Sequence, residues 1–354
     1  MYVGGKIVDV DGKHVRVGGK HGCGPVGEEF AVAVREKVAR LVAGNRTVGG
    51  GELAALAAAE FRTARGILTS GWYLPAAWRE VTAAAAELGE VAGWLLFDAE
   101  RQDEARQANL AALALARWAG DTGMARFIRT NQSLAALHTG HARTALRIAE
   151  FVYADKPPAR VQTLAGIRVA RALAGLGDAE GSRRALLRAL SRYQDGPSER
   201  DPAWAWWLDE AELAWHRGMA QADLGDWHPA LELLHQAVEL TPEDGWARWV
   251  YRAHLLEAAA RAGAWRDAEQ AAAALRDHLR VATTSARALR AIRGAAMLAR
   301  AAPGAPELLE VDWLIRPGRT GSPGSRARPL HYRRNGGAGP CPRPVPGGGC
   351  LRAP

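Results

Sequence analysis

The chain has 354 residues, 48% of them apolar, so it is long enough to bury a substantial core in one large domain or two small ones. Its formal charge of +8 is concentrated at the C-terminus, where Arg316 to Pro354 contains eight Arg, no Lys and no acidic residue. Without those eight, the 46 basic residues fall to 38 and match the 38 acidic ones, which leaves the globular part no basic bias for gripping a phosphate backbone.

Residues 1–51 differ in pattern from the rest of the chain. Lys6-Ile-Val-Asp-Val10 and Lys13-His-Val-Arg-Val17 alternate about Asp11-Gly12, a type I′ turn signal, and predict a short N-terminal β-hairpin. A glycine-rich segment runs from Gly18 to Gly27, then one amphipathic helix from about Glu28 to Ala43, broken by Gly44 to Gly51. Gly22-Cys-Gly-Pro-Val-Gly27 has the G-x-G-x-x-G spacing of a dinucleotide-binding turn. No second strand with an acidic end comes after its helix, and Pro25 removes an amide that would face a phosphate. A linker is therefore expected, and no cofactor.

From Glu52 to about Ala302 the pattern is helical throughout, rich in Ala and Leu, which lose little side-chain freedom in a helix. Pro75, in Leu74-Pro-Ala-Ala-Trp78, suits the first turn of a helix. Breaks fall near Gly120-Asp121, Gly140, Lys156-Pro-Pro158, Gly177-Asp178, Gln194-Asp-Gly-Pro197, Gly225-Asp226, Thr241-Pro242 and Gly263. Helices joined by turns this short are antiparallel neighbours.

The clearest repeat is Trp215 to Asp244. Gly218 precedes the Gly225-Asp226-Trp227 turn, and Ala230, Leu234, Ala237 and Pro242 come after it. Small residues at the helix crossing, a Gly-Asp turn and a closing proline at these spacings resemble the tetratricopeptide repeat. Gly93 with Ala105 and Ala112, Gly140 with Ala145, and Gly263 with Ala268 keep the same frame. Gly177-Asp178 keeps the turn, with its downstream small residues shifted by one. The resemblance implies an all-α fold over residues 52–315, a right-handed α-α superhelix of five extended tetratricopeptide-like hairpins. Val281 to about Ile315 would supply one or two capping helices. Residues 316–354, rich in Arg, Pro and Gly, are expected to be a disordered tail, since they have almost nothing to bury.

Sequence motifs for chemistry are sparse. His138 and His141 have no third ligand nearby, and Cys341 and Cys350 lack spaced partners, so no metal site is expected. Asp98 and Glu100 read as solvated charge at a helix end. The chain shows no P-loop, no H-E-x-x-H and no nucleophile elbow, and no catalytic residue is assigned. Cys23, Cys341 and Cys350 lie in Gly/Pro-rich surroundings, which reads as a reducing cytoplasm, and no apolar run approaches a membrane span. Among the 13 tryptophans, those in Trp204-Ala-Trp-Trp207 cannot all face inward from one helix.

In the tetratricopeptide family the first helix of each hairpin lines a concave groove. Carried over on the Gly218 frame, that implies groove positions Glu90, Trp94, Phe97, Thr130, Leu134, Arg171, Trp215, Met219 and Glu257, with Asn131 beside Thr130 as a hydrogen-bond donor. Glu87-Leu-Gly-Glu-Val-Ala-Gly-Trp-Leu-Leu-Phe-Asp-Ala99, with Arg106-Gln-Ala-Asn-Leu110, is similar to the sensor half of actinobacterial transcriptional regulators, in which an Xre-type helix-turn-helix precedes such a solenoid. The resemblance covers roughly residues 52–300 and implies a non-enzymatic protein- or peptide-binding module that relays binding to transcription. A small-molecule effector and a homodimer are left open. DNA binding by the chain itself is the alternative, but residues 1–51 lack the helices of a helix-turn-helix.

Overall fold

The structure, a computed structural model, describes residues 2–3, 6–7, 24–242, 247–276 and 285–302. Among them are thirteen α-helices. These are α1 (Glu28–Val48), α2 (Gly50–Ser70), α3 (Trp78–Asp98), α4 (Gln102–Trp118), α5 (Thr122–His138), α6 (Ala142–Ala154) and α7 (Ala159–Ala174). Then come α8 (Ala179–Gln194), α9 (Glu210–Leu224), α10 (Trp227–Leu240), α11 (Arg248–Arg261), α12 (Trp265–Arg276) and α13 (Ala286–Ala301). The fold is all-α. At the N-terminus, Tyr2–Val3 pairs antiparallel with Lys6–Ile7. Residues 8–17 of the expected hairpin and the tail from 316 lie outside the described residues.

Two N-terminal expectations are revised. The helix does not break at Gly44; α1 continues to Val48, and Gly49 alone makes the turn, at φ 76°. Gly44 serves packing instead, since a Cβ there would come 3.1 Å from Leu53 Cδ1 on α2. The end of the Gly-rich segment is pinned as well. Val26 donates to the Trp72 carbonyl at 3.1 Å and accepts from Leu74 at 2.8 Å, holding residues 24–27 against the α2–α3 connection.

The helices from α3 to α12 form five hairpins: α3–α4, α5–α6, α7–α8, α9–α10 and α11–α12. Each turns through one residue with positive φ, namely Glu100, Gly140, Gly177, Gly225 and Gly263. Five residues after it lies a buried small residue: Ala105, Ala145, Ser182, Ala230 and Ala268. Twelve after it lie Ala112, Val152, Ala189, Ala237 and Leu275, also buried. The frame therefore runs through the third hairpin without the expected one-residue shift, because Ser182 fills the place held elsewhere by alanine. The long interval between Gly177 and Gly225 holds an inserted 3-10 turn, Ala203–Trp207.

Helix starts obey ordinary capping chemistry. Asp121, Asp178, Asp209 and Ser285 each accept from the backbone N–H three residues on, at 2.8, 2.8, 2.9 and 3.2 Å. At the crossings small residues are obligatory: a Cβ on Gly218 would sit 2.8 Å from Leu234 Cγ and 3.2 Å from the Ala230 carbonyl. Helices α5, α7 and α11 pack on the second helix of the preceding hairpin, and α3 packs on α5, α5 on α7 and α7 on α9. The first helices α3, α5, α7 and α9 thus pack in series, and α11 meets α9 through Tyr251 against Glu212 and Trp215. Helix α13 packs on α11 and leaves the order of the stack, since its Arg287 also pairs with Asp98 at the end of α3.

Candidate functional site

Charged side chains are seldom buried unless paired. Among the described residues the buried ones are Glu90, Asp98, Arg168, Arg171, Glu212 and Arg287. All six sit on odd-numbered helices, the first helices of the hairpins plus α13. Helical periodicity carries them inward together with aromatic residues of the same face.

At one end, Asn131 Nδ2 donates to Glu90 Oε1 at 2.8 Å. Burial pushes the Glu90 carboxyl up to about 8, only partly opposed by that hydrogen bond, so it is largely protonated at neutral pH. Thr130 is buried beside it and donates to the Phe127 carbonyl at 2.7 Å, and Leu134 lies in the core. Trp94 is half-buried, 5.7 Å from the buried ring of Phe97, which meets His138 edge-on at 5.1 Å.

In the middle, Arg168 donates to the Thr130 carbonyl at 3.3 Å and to His216 Nε2 at 2.8 Å. Burial, followed by Arg168, holds the His216 ring well below its ordinary value and hence neutral. Tyr251 donates to Glu212, whose carboxyl is raised by burial, and Glu212 lies 3.1 Å from His216 Nε2. Arg171 forms a forked pair with Asp223, at 2.9 and 3.2 Å, with its guanidinium 5.7 Å from the Trp215 ring centre. Trp215 is buried and stacked on Tyr251 at 5.5 Å, its indole Nε1 without a hydrogen-bond partner among the described residues. Met219 packs partly buried beside this cluster.

Helix α13 meets that same first hairpin, at the C-terminal end of α3. Asp98 Oδ1 accepts from Ser285 Oγ at 2.8 Å and from Arg287 Nε at 3.2 Å. The Arg287 guanidinium stands 5.2 Å from the ring centres of both Trp94 and Phe97. Glu100 accepts from Gln102 at 3.1 Å, lies 2.8 Å from His138 Nε2, and pairs with Arg290 at 3.7 Å. Half-burial works to raise the Glu100 carboxyl, but His138, Gln102 and Arg290 outweigh it and leave it below its ordinary value. Glu257, half-buried, pairs with Arg261 at 3.0 Å and abuts α13, where a Cβ on Gly294 would lie 3.2 Å from its Oε1.

The ten expected groove residues lie on the first helices, but seven of them, Glu90, Phe97, Thr130, Asn131, Leu134, Arg171 and Trp215, are buried, and only Trp94, Met219 and Glu257 are partly exposed. Glu90 with Asn131 and Arg171 with Trp215 are in direct contact. Asp98 is not solvated charge at a helix end; α13 covers it. Arg168, Glu212, His216, Tyr251 and Arg287 are not among the residues the sequence singles out. The Glu212–His216 spacing of four, on the helix that carries Trp215, is the one signal that could have found them. Among the described residues, no group of three His, Cys, Asp or Glu could hold a metal ion, and no helix is long and apolar enough to cross a membrane.

No protein-family model matches the chain, and no curated protein matches it.

Proposed function

We propose that the face built by α3, α5, α7, α9 and α11 is the groove of a right-handed tetratricopeptide-type superhelix that binds a protein or peptide partner without transforming it. The observation that carries this is the gathering of the described buried charged residues at one helix face, interleaved with Trp94, Phe97, Trp215 and Tyr251. Most of those side chains are buried and brace the face, while Trp94, Met219 and Glu257 remain partly exposed on it and are the positions open to a partner. The resemblance of residues 87–99 to regulator sensor domains makes the sensor or interaction part of a transcriptional regulator the role we favour.

The test uses the full chain as bait in a lysate of the source cells, with mass spectrometry of the retained proteins. Trp94→Ala and Met219→Ala serve as groove variants; Trp215 is unsuitable, being a core residue. The reading expects a retained partner that either variant loses while staying folded. No retention by a folded bait, or retention indifferent to both variants, overturns it.

A further inference from the structure

We propose that Asp98, Trp94 and Phe97 form a guanidinium receptor that α13 of the same chain fills with Arg287, and that an arginine-bearing helical segment of the partner displaces α13 from it. This rests on the groove reading and names the chemistry of its ligand.

Three observations carry it. First, the receptor is built for a guanidinium: one buried carboxylate and two aromatic faces, at 3.2 and 5.2 Å from Arg287. Yet α13 uses it incompletely. Arg287 engages Asp98 through Nε alone, on the oxygen that also serves Ser285, while buried Asp98 Oδ2 has no hydrogen-bond partner among the described residues. That second oxygen faces Gly50 at the start of α2, so the resident arginine makes a single-point contact, weaker than a forked pair.

Second, the face α13 packs on α11 is mostly alanine: Ala288, Ala291, Ala295 and Ala296 surround Ile292, with Leu298 partly buried at its edge. Its contacts to the first hairpin are polar, through Ser285, Arg287 and the largely exposed Arg290.

Third, Glu100 occupies the positive-φ turn position, at φ 58°, where the other four hairpins have glycine. A non-glycine residue there is strained, and such strain persists where the side chain has a role. The Glu100 carboxylate reaches Arg290 of α13, so the strained turn places a second acidic contact beside Asp98.

The test probe is a labelled peptide of residues 285–302, titrated into the full chain with fluorescence anisotropy. Weakening the resident helix raises the fraction of open receptor and with it the apparent affinity in proportion. Arg287→Ala with Arg290→Ala in the chain is therefore expected to tighten peptide binding about tenfold or more over the wild type. Adding Asp98→Asn is expected to reverse that gain, and a peptide with both arginines replaced by alanine to lose binding. Peptide binding no tighter to the folded double variant, or unaffected by Asp98→Asn, overturns the proposal.

Should the double variant fold poorly, native-state hydrogen exchange of the wild type decides instead. The α13 amides are expected to exchange about tenfold or more faster than those of α11, as a separately opening element does. Exchange of both at one rate makes α13 a fixed part of the fold and overturns the proposal. A partner captured through Trp94 equally by wild type and double variant would leave the groove reading standing while removing this one.

Discussion

Asn131 on α5 donates a 2.8 Å hydrogen bond to Glu90 on α3, tying the first two hairpins together through a buried acid. The pairing explains how a carboxyl tolerates that depth: it keeps its proton, and its other needs are met by an amide.

The proton makes stability depend on pH in a definite direction. With a folded value of about 8 against an ordinary 4.5, folded protein keeps a proton that unfolded protein has released throughout that window. Raising pH across it therefore favours unfolding, by about 1.4 kcal/mol per pH unit from this group, and the contribution is fully present only below 4.5. Glu90→Gln, which still accepts from Asn131, is expected to lack this slope. Urea unfolding at pH 6, 7 and 8 checks it, and equal slopes in both proteins would contradict the assignment.

Glu100 offers a measure of strain. Glu100→Ala loses the contacts to His138, Gln102 and Arg290 and keeps the unfavourable backbone, whereas Glu100→Gly loses the contacts and relieves it. The glycine variant is expected to be more stable than the alanine variant by about 1 kcal/mol. Thermal unfolding of the pair settles the sign.

Two helical glycines should respond oppositely to alanine. At Gly218 the new methyl meets Leu234 and the Ala230 carbonyl, and a loss of about 1–3 kcal/mol is expected. At Gly66 on α2 nothing lies within 4 Å, and Gly66→Ala is expected to gain about 0.5–1 kcal/mol. Denaturant midpoints of the two variants on either side of the wild type would bear this out.

The Trp204–Trp207 turn divides its tryptophans between core and solvent. Trp204 stacks on Phe127 at 4.1 Å and 10°, whereas Trp206 is 66% exposed. Trp204→Ala is expected to cost about 2–3 kcal/mol and Trp206→Ala less than about 0.5 kcal/mol, read by chemical denaturation.

Much of the helical layout is legible in the sequence because its punctuation is chemical. Gly140, Gly177, Gly225 and Gly263 are turn glycines whose positive φ few other residues accept, and the small residues at crossings answer to backbone proximity. Glu100 hides the first turn because a non-glycine residue there depends on tertiary contacts with His138 and Arg290, to which local pattern is blind. Ser182 disguises the third hairpin's frame because its small size, not its polarity, is what the crossing requires. The site is legible as positions on a face and not as partners. Pairing Asp98 with Arg287 joins residues 189 apart, and no local periodicity reports which distant helix returns to cover a carboxylate.

The most direct test of the central claim asks which face meets the partner. A photo-crosslinking phenylalanine analogue placed at Trp94, on the face of the first helices, is compared with one at exposed Trp118, at the end of α4. Irradiation in a lysate of the source cells, with mass spectrometry of the products, is predicted to yield a crosslinked protein or peptide from position 94 and none from position 118. Crosslinking from position 118 with none from position 94 would place the partner on the opposite helices and contradict the account.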